Sequence, residues 1–511
     1  MSGASPKNEP IWTSVSSPKF PKLTEDATVD VAIVGAGIAG ITTAYLLARE
    51  GQSVLVLDDG PVGGGMTCVT TAHLANALDD RYVEIERLRG RDGARLAAES
   101  HTAAIERIER IVADEGIDCD FVRLDGFLFP TPGESPDLLR KEHDAARRAG
   151  LDVEIVPRSP APFDGGPALR FPRQGQFHPL KYLYALAAAV EKAGGRIASG
   201  AHVDAIEDGS PARARAGKRT VTAKSVVVAT NVPVNDLFAI HTKQAPYMTY
   251  VVGAAVPRGS VERALYWDTA DPYHYVRLQP MEGDGDGGRF DCLIVGGEDH
   301  KTGHADDGHE RHARLEAWAR ERFPSIERIA FTWAGQVMET LDGLAYIGRN
   351  PGEENVYIVT GDSGMGMTHG TIAGMLLTDL IQGRDHPWRD LYDPSRKIVG
   401  AARRFAKENL DVAAQFAGYV MPGGSPEEIP WDSGAVIQRG LSKVAAYRDE
   451  KGELHEVSAV CPHLGCIVQW NGSEKTWDCP CHGSRFDKTG KVLNGPANRD
   501  LAPAGEEVAR K

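Results

Sequence analysis

The chain has 511 residues, 42% hydrophobic and 25% charged, a composition typical of a globular protein of about two to four domains. Its formal net charge of −14 disfavours a nucleic-acid partner. No apolar run reaches the roughly 18 residues of a membrane span, and residues 1–30 lack the apolar core of a secretory signal. We therefore expect a cytoplasmic protein with no transmembrane segment.

The first organised part of the chain, residues 29–58, predicts a β-α-β unit built around a glycine-rich turn. Gly35 allows the tight turn, Gly37 lets the backbone approach a pyrophosphate, and Gly40 packs the helix on the strand. The helix N-terminus offers free N–H groups to phosphates, and Asp58 is placed to accept a ribose hydroxyl. The pattern predicts a dinucleotide site, and the alternative is a glycine-rich turn without a ligand.

The following elements are predicted in chain order from apolar periodicity and from glycine and proline positions. Helices are predicted at about 80–118, 136–150, 179–194, 309–322 and 366–382. Strands are predicted at about 121–130, 196–206, 219–230 and 329–360. Alternating aromatic, β-branched and polar residues at 245–300 predict an antiparallel sheet, interrupted by a loop at 282–288. That loop lacks a preceding strand and a following helix, so we reject it as a second dinucleotide site for a nicotinamide.

Several further motifs make the sequence resemble one particular protein family. They are the run Gly63–His73, Val203 and Ala229 on strands, Asp342-Gly343-Leu344, and the glycine-rich run Gly361–Gly370. Over about residues 28–395 the chain resembles the D-amino-acid-oxidase-like family of FAD enzymes, which includes glycine, sarcosine and γ-glutamylputrescine oxidases. The resemblance implies FAD as cofactor, and it implies these binding residues: Gly35, Gly37, Gly40, Asp58, Gly64, Thr67, Thr71, His73, Val203, Ala229, Gly364, Gly366 and Thr368.

The resemblance also implies amine oxidation, in which a hydride leaves the carbon next to an amine nitrogen. The candidate pocket wall is the antiparallel sheet, where many aromatic residues cluster and could hold a cationic amine. Packing in the core of the sheet is the alternative for any single aromatic residue. We expect catalytic roles for His274, Tyr275 and Arg277, and we expect His300 and His304 to be solvated in a polar loop.

One departure from the family pattern bears on the substrate. Amino-acid oxidases of this family tend to have an Arg just before the Asp-Gly-Leu segment, and the run Trp333–Glu339 contains none. The sequence therefore favours an amine other than a simple α-amino acid, with Arg277 as a substitute carboxylate ligand. Cys68 lies in the segment expected near the flavin, where a free thiol is favoured over a covalent link to FAD.

Two short boxes near the C-terminus are typical of a Rieske [2Fe–2S] site, in which two Cys hold one iron and two His hold the other. They are Cys461-Pro-His463-Leu-Gly465-Cys466 and Cys479-Pro-Cys481-His482-Gly483-Ser484. Zinc is the alternative, since Cys and His also bind zinc, but a zinc site does not require two further Cys in register. The resemblance to Rieske domains extends over about residues 428–503.

The Rieske resemblance assigns roles to individual residues. It implies cluster ligation by Cys461, His463, Cys479 and His482. Cys466 and Cys481 match the pair that forms a disulfide between the cluster loops, which is unusual for a cytoplasmic protein. Ser484 matches a hydroxyl donor to the cluster, whereas Phe486 replaces a Tyr donor, so we expect an intermediate reduction potential.

The fold class predicted from these parts is an α/β Rossmann-like FAD-binding domain with an antiparallel-sheet substrate domain, plus a small all-β Rieske domain. The predicted boundaries are an N-terminal tail at 1–28, the FAD-dependent oxidoreductase at 29–395, a helical connector at 396–427 and the Rieske domain at 428–511. Within the oxidoreductase, the FAD-binding parts are about 29–80, 180–235 and 330–395, and the substrate-domain parts are about 81–179 and 236–329.

The functional hypothesis is that FAD takes two electrons from an amine C–N bond. The Rieske cluster would then pass them singly to an external acceptor, namely a ferredoxin, a quinone or another redox protein. Three alternatives stay open. An external donor could reduce the cluster and then the flavin, the protein could be a non-enzymatic electron carrier or redox sensor, or oxygen could be the acceptor with a vestigial cluster.

Overall fold

The computed structural model describes residues 6–131, 133–135, 137–163, 166–235, 240–281, 288–419 and 423–505. The predicted loop at 282–288 thus lies outside the described residues except for Gly288. The helices are α1 (Ile38–Arg49), α2 (Met66–Val69), α3 (Arg81–Glu115), α4 (Asp137–Arg148), α5 (Pro179–Lys192), α6 (Gly308–Arg322), α7 (Gly366–Ile381), α8 (Arg389–Tyr392) and α9 (Ala402–Gln415).

The strands, in chain order, build four sheets. They are β1 (Ala27–Val34), β2 (Val54–Asp58), β3 (His73–Leu74), β4 (Val122–Phe129), β5 (Glu154–Val156), β6 (Ala168–Gln176), β7 (Arg196–Ser199), β8 (Ala205–Glu207), β9 (Ala212–Ala216), β10 (Arg219–Val228), β11 (Gln244–Pro257), β12 (Leu265–Asp268), β13 (Tyr275–Pro280), β14 (Phe290–Lys301), β15 (Arg328–Thr340), β16 (Tyr346–Arg349), β17 (Val356–Thr360), β18 (Ser433–Arg439), β19 (Ser442–Arg448), β20 (Leu454–Ser458), β21 (Gln469–Asn471), β22 (Thr476–Asp478), β23 (Arg485–Asp487) and β24 (Val492–Asn494).

An eight-stranded sheet carries the glycine-rich motif. Its main path is β16-β17-β10-β1-β2-β7, with β9 beside β10 and β8 beside β9. Because β1 pairs in parallel with both β2 and β10, helices and loops cover both of its faces. Val31 and Ile33 accordingly belong to one apolar core cluster, and Ala32 and Val34 to another. The predicted Rossmann-like α/β part is confirmed.

A nine-stranded sheet forms the second layer, in the order β15-β11-β14-β13-β12-β4-β6-β3 with β5 beside β6. The strands between 244 and 301 pair antiparallel, as predicted. β12 and β4 pair in parallel, so the complete sheet is mixed. Its core side packs on α6 through Tyr250, Leu315 and Phe323, which are fully buried.

The C-terminal part, within residues 423–505, is built from small antiparallel sheets. One has the order β18-β19-β20 and the other β21-β22-β23-β24. Tyr447, Trp477 and Phe486 are buried in a core that also contains the Cys of the two predicted cluster loops. The predicted small all-β domain is confirmed.

Two expectations can be compared with contacts in the structure. The predicted N-terminal tail is anchored, because Trp12 is fully buried and its indole N–H donates to the Thr70 carbonyl at 2.7 Å. His300 is partly buried rather than solvated, so the prediction was wrong for His300, whereas His304 is exposed as predicted. His300 lies on β14 and stacks on Tyr250, with ring centroids 5.8 Å apart, and His304 Nε2 lies 3.3 Å from the Pro480 carbonyl. The C-terminal part covers this loop, which a local reading of the sequence does not reveal.

Candidate functional site

The turn between β1 and α1 shows the geometry that a dinucleotide requires. Gly35 has a φ of 106°, and a side chain on Gly40 would collide with the Gly35 carbonyl. Asp58 Oδ2 accepts a hydrogen bond from the Ala36 backbone at 2.6 Å. Burial raises the pKa of Asp58, as expected for a carboxyl at the inner end of a binding cleft.

A single cavity of about 1230 Å³ extends from this turn to the start of α7. The predicted FAD residues that line it are Gly35, Gly37, Asp58, Gly64, Thr67, Thr71, His73, Val203, Ala229, Gly364 and Gly366. Two predicted residues do not line it. Gly40 packs behind the turn, and the buried Thr368 hydroxyl donates to the Met365 carbonyl at 3.1 Å and contacts His101 Nδ1 at 2.9 Å. The volume of the cavity and its glycine-lined turn fit FAD.

The end of the cavity near α7 is lined by neutral histidines. Burial lowers the pKa of His369 to about 4, and His369 Nδ1 donates to the Asp362 carbonyl at 2.9 Å. Burial, followed by the charge of Arg277, lowers the pKa of His73 to about 3. Cys68 also lines the cavity, and burial raises the pKa of its thiol to about 11. The Cys68 thiol is therefore protonated near neutral pH.

The three residues expected to be catalytic occupy different surroundings. Tyr275 lines the cavity, and its hydroxyl lies 2.8 Å from Thr249 Oγ1. His274, the next residue along the chain, is not among the described lining residues. Its Nδ1 lies 2.8 Å from Asp268 Oδ2, and its ring stacks on Trp318 with centroids 4.3 Å apart. The two residues differ because Tyr275 begins β13, whereas His274 precedes the strand and is held by Asp268 and Trp318.

Arg277 is also outside the described cavity lining and is fully buried behind it. Its Nη1 donates to the carbonyls of Ala72 at 2.9 Å and of Phe177 at 3.0 Å, and its Nη2 bonds the Gln279 side chain. The guanidinium also lies 5.3 Å from the ring of Trp12. These contacts join separate chain segments and leave Arg277 unable to reach a substrate carboxylate in the cavity.

The sequence reading missed a group of four cavity-lining carboxyls, namely Asp79, Asp299, Glu339 and Asp362. Burial is the main cause that raises the pKa of Asp79 to about 7 and the pKa values of Asp299 and Asp362 to about 6. The pKa of Glu339 is raised well above its ordinary value by burial and by the neighbouring carboxyls. These residues come from four chain segments, so no sequence spacing signals that they meet.

The Rieske boxes form two similar loops that face each other. In the first loop, Gly465 N–H donates to the Cys461 carbonyl at 3.0 Å, and in the second, Gly483 N–H donates to the Cys479 carbonyl at 3.1 Å. The Cys461 and Cys479 thiols lie in hydrogen-bonding contact with each other. A disulfide between Cys466 and Cys481 joins the loops, with Cα atoms 6.4 Å apart.

The histidines of the two boxes complete the donor set for a [2Fe–2S] cluster. The rings of His463 and His482 lie next to each other, with centroids 5.1 Å apart. His482 Nδ1 is buried and has no hydrogen-bond partner among the described residues, as expected for a nitrogen whose partner is a metal. The Ser484 side chain contacts Cys461 and accepts the Ala497 N–H at 2.9 Å. Two thiolates and two imidazoles in this arrangement fit a Rieske cluster.

The cluster loops pack directly against the flavin-side part of the chain. Gln336 of β15 lines the cavity, and its Nε2 donates to the Gly483 carbonyl at 2.8 Å. The ring of His241 lies against both predicted histidine ligands, at 4.9 Å from His463 and 5.9 Å from His482 between centroids. Residues of the C-terminal part also line the cavity itself, among them Asn494 and Asn498.

Comparisons with known proteins agree with this arrangement. The family model described as FAD dependent oxidoreductase (DAO) matches residues 30–380, and the model of the Rieske [2Fe-2S] domain matches residues 421–504. The Rieske 2Fe-2S iron-sulfur protein YhfW of Bacillus subtilis is 32% identical over 96% of this chain and 97% of its own length. The γ-glutamylputrescine oxidoreductase of Escherichia coli is 26% identical over 81% of this chain and 92% of its own length. Glycine oxidase from Geobacillus kaustophilus shares the fold, with a TM-score of 0.58 and 20% identity over 73% of this chain and all of that one.

The chain therefore belongs to the DAO family of FAD-dependent oxidoreductases and carries a C-terminal Rieske [2Fe–2S] domain. FAD and the Rieske cluster are its cofactors, as predicted. Among the described residues, no helix is long and apolar enough to cross a membrane.

Proposed function

We propose that this protein oxidises an amine at a C–N bond and passes the electrons from FAD to the Rieske cluster and on to an external acceptor. The observation that carries the proposal is the contact of Gln336, which lines the FAD cavity and donates to Gly483 of the second cluster loop at 2.8 Å. One side chain thus touches both redox sites. The likeness to a γ-glutamylputrescine oxidoreductase supports an amine as the substrate.

The residues around the cavity have distinct roles in this proposal. The predicted FAD residues that line the cavity hold the cofactor, and FAD supplies a two-electron acceptor for the substrate hydride. Tyr275 and Thr249 bond each other at 2.8 Å and form part of the wall that orients the amine. His274 and Arg277 support that wall from behind, through Asp268 and through backbone carbonyls.

The cluster end of the pathway uses the two Rieske loops. Cys461 and Cys479 would hold one iron, and His463 and His482 would hold the other. The His edge of the loops faces His241, on the flavin-side part of the chain, which supports a docked position of the cluster loops. A ferredoxin, a quinone or another redox protein then takes electrons from the cluster one at a time.

The test is an anaerobic titration of the holoprotein with a panel of amines, followed by visible absorption and low-temperature EPR. We expect an amine to bleach the flavin band and to produce a Rieske EPR signal in the same sample. The His463→Ala variant should still bleach with that amine and show no Rieske signal. His455→Ala is the matched control, because His455 bonds Asp449 of the same domain at 3.2 Å and does not belong to the cluster loops.

The outcomes separate the alternatives. Cluster reduction by dithionite, with no bleaching by any amine, would overturn amine oxidation and favour a carrier or the reverse flow. Bleaching with a permanently oxidised cluster, and undiminished oxygen turnover in His463→Ala, would instead indicate a plain oxidase.

A further inference from the structure

The carboxyl groups of the cavity have too few protein partners. Asp299 Oδ1 is buried and has no hydrogen-bond partner among the described residues. Within the described part of the chain, no hydrogen bond or ion pair engages the Glu339 side chain. Asp79 Oδ2 accepts a single bond from the Tyr273 hydroxyl at 2.6 Å, and Asp362 Oδ1 accepts one from the Met338 N–H at 3.1 Å. All four side chains are half-buried, and a cationic ligand in the cavity would compensate for carboxyls that have so few partners.

The protein itself does not supply that cation. The Lys and Arg among the described lining residues all come from the Rieske domain, namely Arg485, Lys491 and Arg499. Arg485 pairs with Asp478 at 3.1 Å. The charge of Lys491 contributes to lowering the pKa of Asp59, which follows Asp58 at the predicted ribose site. The nearest histidines, His73 and His369, are held neutral by burial. The pKa values of the four carboxyls are therefore raised without a positive partner among the described lining residues, and a cationic ligand would favour their charged forms.

Aromatic rings complete this end of the cavity. Trp267, Tyr273 and Tyr275 all line it, and the two tyrosine rings lie 5.5 Å apart between centroids. The ring of His73 meets Tyr275 edge-on at 5.7 Å. Ammonium groups bind well over aromatic faces, whereas carboxylates do not. Charge and ring chemistry thus select the same kind of ligand.

We propose that the substrate is a di- or polyamine that carries at least two ammonium groups and no free carboxylate. This inference rests on the function proposed above and names its substrate class. One nitrogen is attached to the carbon that is oxidised, and the carboxyl cluster binds a second, distal ammonium. An α-amino acid would place its carboxylate among like charges, where no Arg or Lys of the described lining pairs with it.

The oxidation balances with FAD as the hydride acceptor and water as the proton acceptor and final co-reactant. The ammonium at the oxidised end first loses a proton to water, which leaves the carboxyl cluster to bind the distal ammonium. FAD, when bound, would accept the hydride with both electrons from the adjacent carbon, and the nitrogen lone pair would form the second bond of a C=N double bond. Water adds to that bond and yields an aldehyde and an ammonium ion.

The experiment compares three ligands of similar length on the anaerobic holoprotein: butane-1,4-diamine, butylamine and 5-aminopentanoate. Butane-1,4-diamine carries two positive charges and butylamine carries one. 5-Aminopentanoate carries one positive and one negative charge. We expect flavin reduction to be most efficient with the diamine and least efficient with the zwitterion. Calorimetric binding of 2,5-dimethylhexane-2,5-diamine, which has no hydrogen on the amine-bearing carbons and cannot be oxidised, gives a readout independent of turnover.

Glu339→Gln and Asp299→Asn are the test variants, since each removes a carboxyl that a bound cation would hold in its charged form, with little change of shape. Each should weaken binding of the non-oxidisable diamine about tenfold or more and affect butylamine much less. Glu298→Gln is the matched control, because Glu298 precedes Asp299 on β14 but bonds Arg314 at 2.8 Å outside the described cavity lining. Two independent variants keep the test informative if one fails to fold.

The two proposals fail in different ways. Preference for butylamine or 5-aminopentanoate over the diamine, or diamine binding that is unchanged in both variants, would overturn the polyamine inference while amine oxidation stands. Charge-dependent binding of the non-oxidisable diamine, without flavin reduction by any amine, would support the cation site and overturn the proposed oxidation.

Discussion

Gln336 and Gly483 join the two redox sites of this protein, because the Gln336 side-chain amide donates to the Gly483 carbonyl at 2.8 Å. The same side chain is buried, reaches Thr302 at 3.3 Å, and lines the FAD cavity. Its backbone N–H lies 3.3 Å from Met66 Sδ, which Asn494 of the Rieske domain approaches from the other side at 3.9 Å. The contact is thus the centre of an interface and not an isolated bond.

Replacing Gln336 should therefore uncouple the sites. In Gln336→Ala the buried Gly483 carbonyl loses its donor, which costs about 1–3 kcal/mol of docking free energy. We expect slower cluster reduction after the flavin is bleached, measured by anaerobic stopped-flow absorption at flavin and cluster wavelengths. Flavin bleaching itself should change less.

The matched control for that measurement is Gln176→Ala. Gln176 is buried too, and its Nε2 donates to the Leu278 carbonyl at 2.7 Å inside the nine-stranded sheet. It should lose a comparable hydrogen bond and leave cluster reduction unchanged. Equal rates of cluster reduction in Gln336→Ala and the native protein would contradict a coupling role.

The nucleotide end of the interface should depend on pH through His202. Its Nδ1 lies 3.0 Å from Asp59 Oδ2 and its Nε2 lies 2.9 Å from the Asn498 carbonyl of the Rieske domain. Both neighbours are acceptors, so only the protonated ring satisfies both. The Asp59 bond is the main cause that raises the pKa of His202 above 6.5, and the same bond lowers the pKa of Asp59 below 3.8.

The pH dependence of this interface contact follows from the directions of the two pKa shifts. The His202 contribution is fully present below pH 6.5 and is lost as the pH rises through the raised pKa. The Asp59 contribution is present above pH 3.8 and is lost as the pH falls through the lowered pKa. We expect hydrogen exchange at residues 494–500, corrected for intrinsic rates, to be faster at pH 8.5 than at pH 6. His202→Gln should remove the difference, whereas His143→Gln, which disrupts a pair on α4, should retain it.

Much of the fold was predictable because its signals are local. Gly35, Gly37 and Asp58 lie on one continuous β-α-β unit, so their spacing reports their geometry directly. The Rieske loops were equally easy to predict, since Cys461 and His463 are close in sequence and the second box repeats the pattern. The parallel pairing of β12 with β4 was not visible, because more than a hundred residues separate the two strands.

The substrate end was harder to predict for a physical reason. Asp79, Asp299 and Glu339 meet only through tertiary packing, and each alone is indistinguishable from a solvated carboxylate. Conversely, Arg277 had the right chemistry for a substrate ligand, but its Nη1 donates to backbone carbonyls of distant segments and its Nη2 bonds the Gln279 side chain. Tyr275 begins β13 and His274 lies just before it, a boundary that the sequence pattern did not locate.

The buried pair Arg396–Asp342 should be important for stability. Arg396 Nη2 and Nε donate to the two Asp342 oxygens at 2.8 and 3.1 Å, and Nη1 donates to the Ala345 carbonyl at 2.8 Å. Arg396→Ala leaves a buried carboxylate with too little compensation, which costs about 3–5 kcal/mol. Denaturant-induced flavin release should measure the loss.

Arg384→Ala provides the contrast for that variant. Arg384 pairs with Glu50 at 2.8 Å, but both side chains are exposed by about two fifths, at 42% and 43%. An exposed pair contributes only about 0–1 kcal/mol. Similar shifts in the two variants would show that burial does not govern the Arg396 pair.

The disulfide should stabilise the cluster loops specifically. It links Cys466 and Cys481 across a separation of 15 residues, for which loop-closure entropy predicts about 3 kcal/mol. In the double variant Cys466→Ala, Cys481→Ala, cluster absorption should therefore disappear at lower denaturant than in the native protein, while flavin release shifts less. Cys119→Ala is the control, because Cys119 is buried in the flavin-side core and should affect flavin release instead. An unchanged midpoint for cluster loss in the double variant would show that the bound cluster, rather than the disulfide, holds the two loops together.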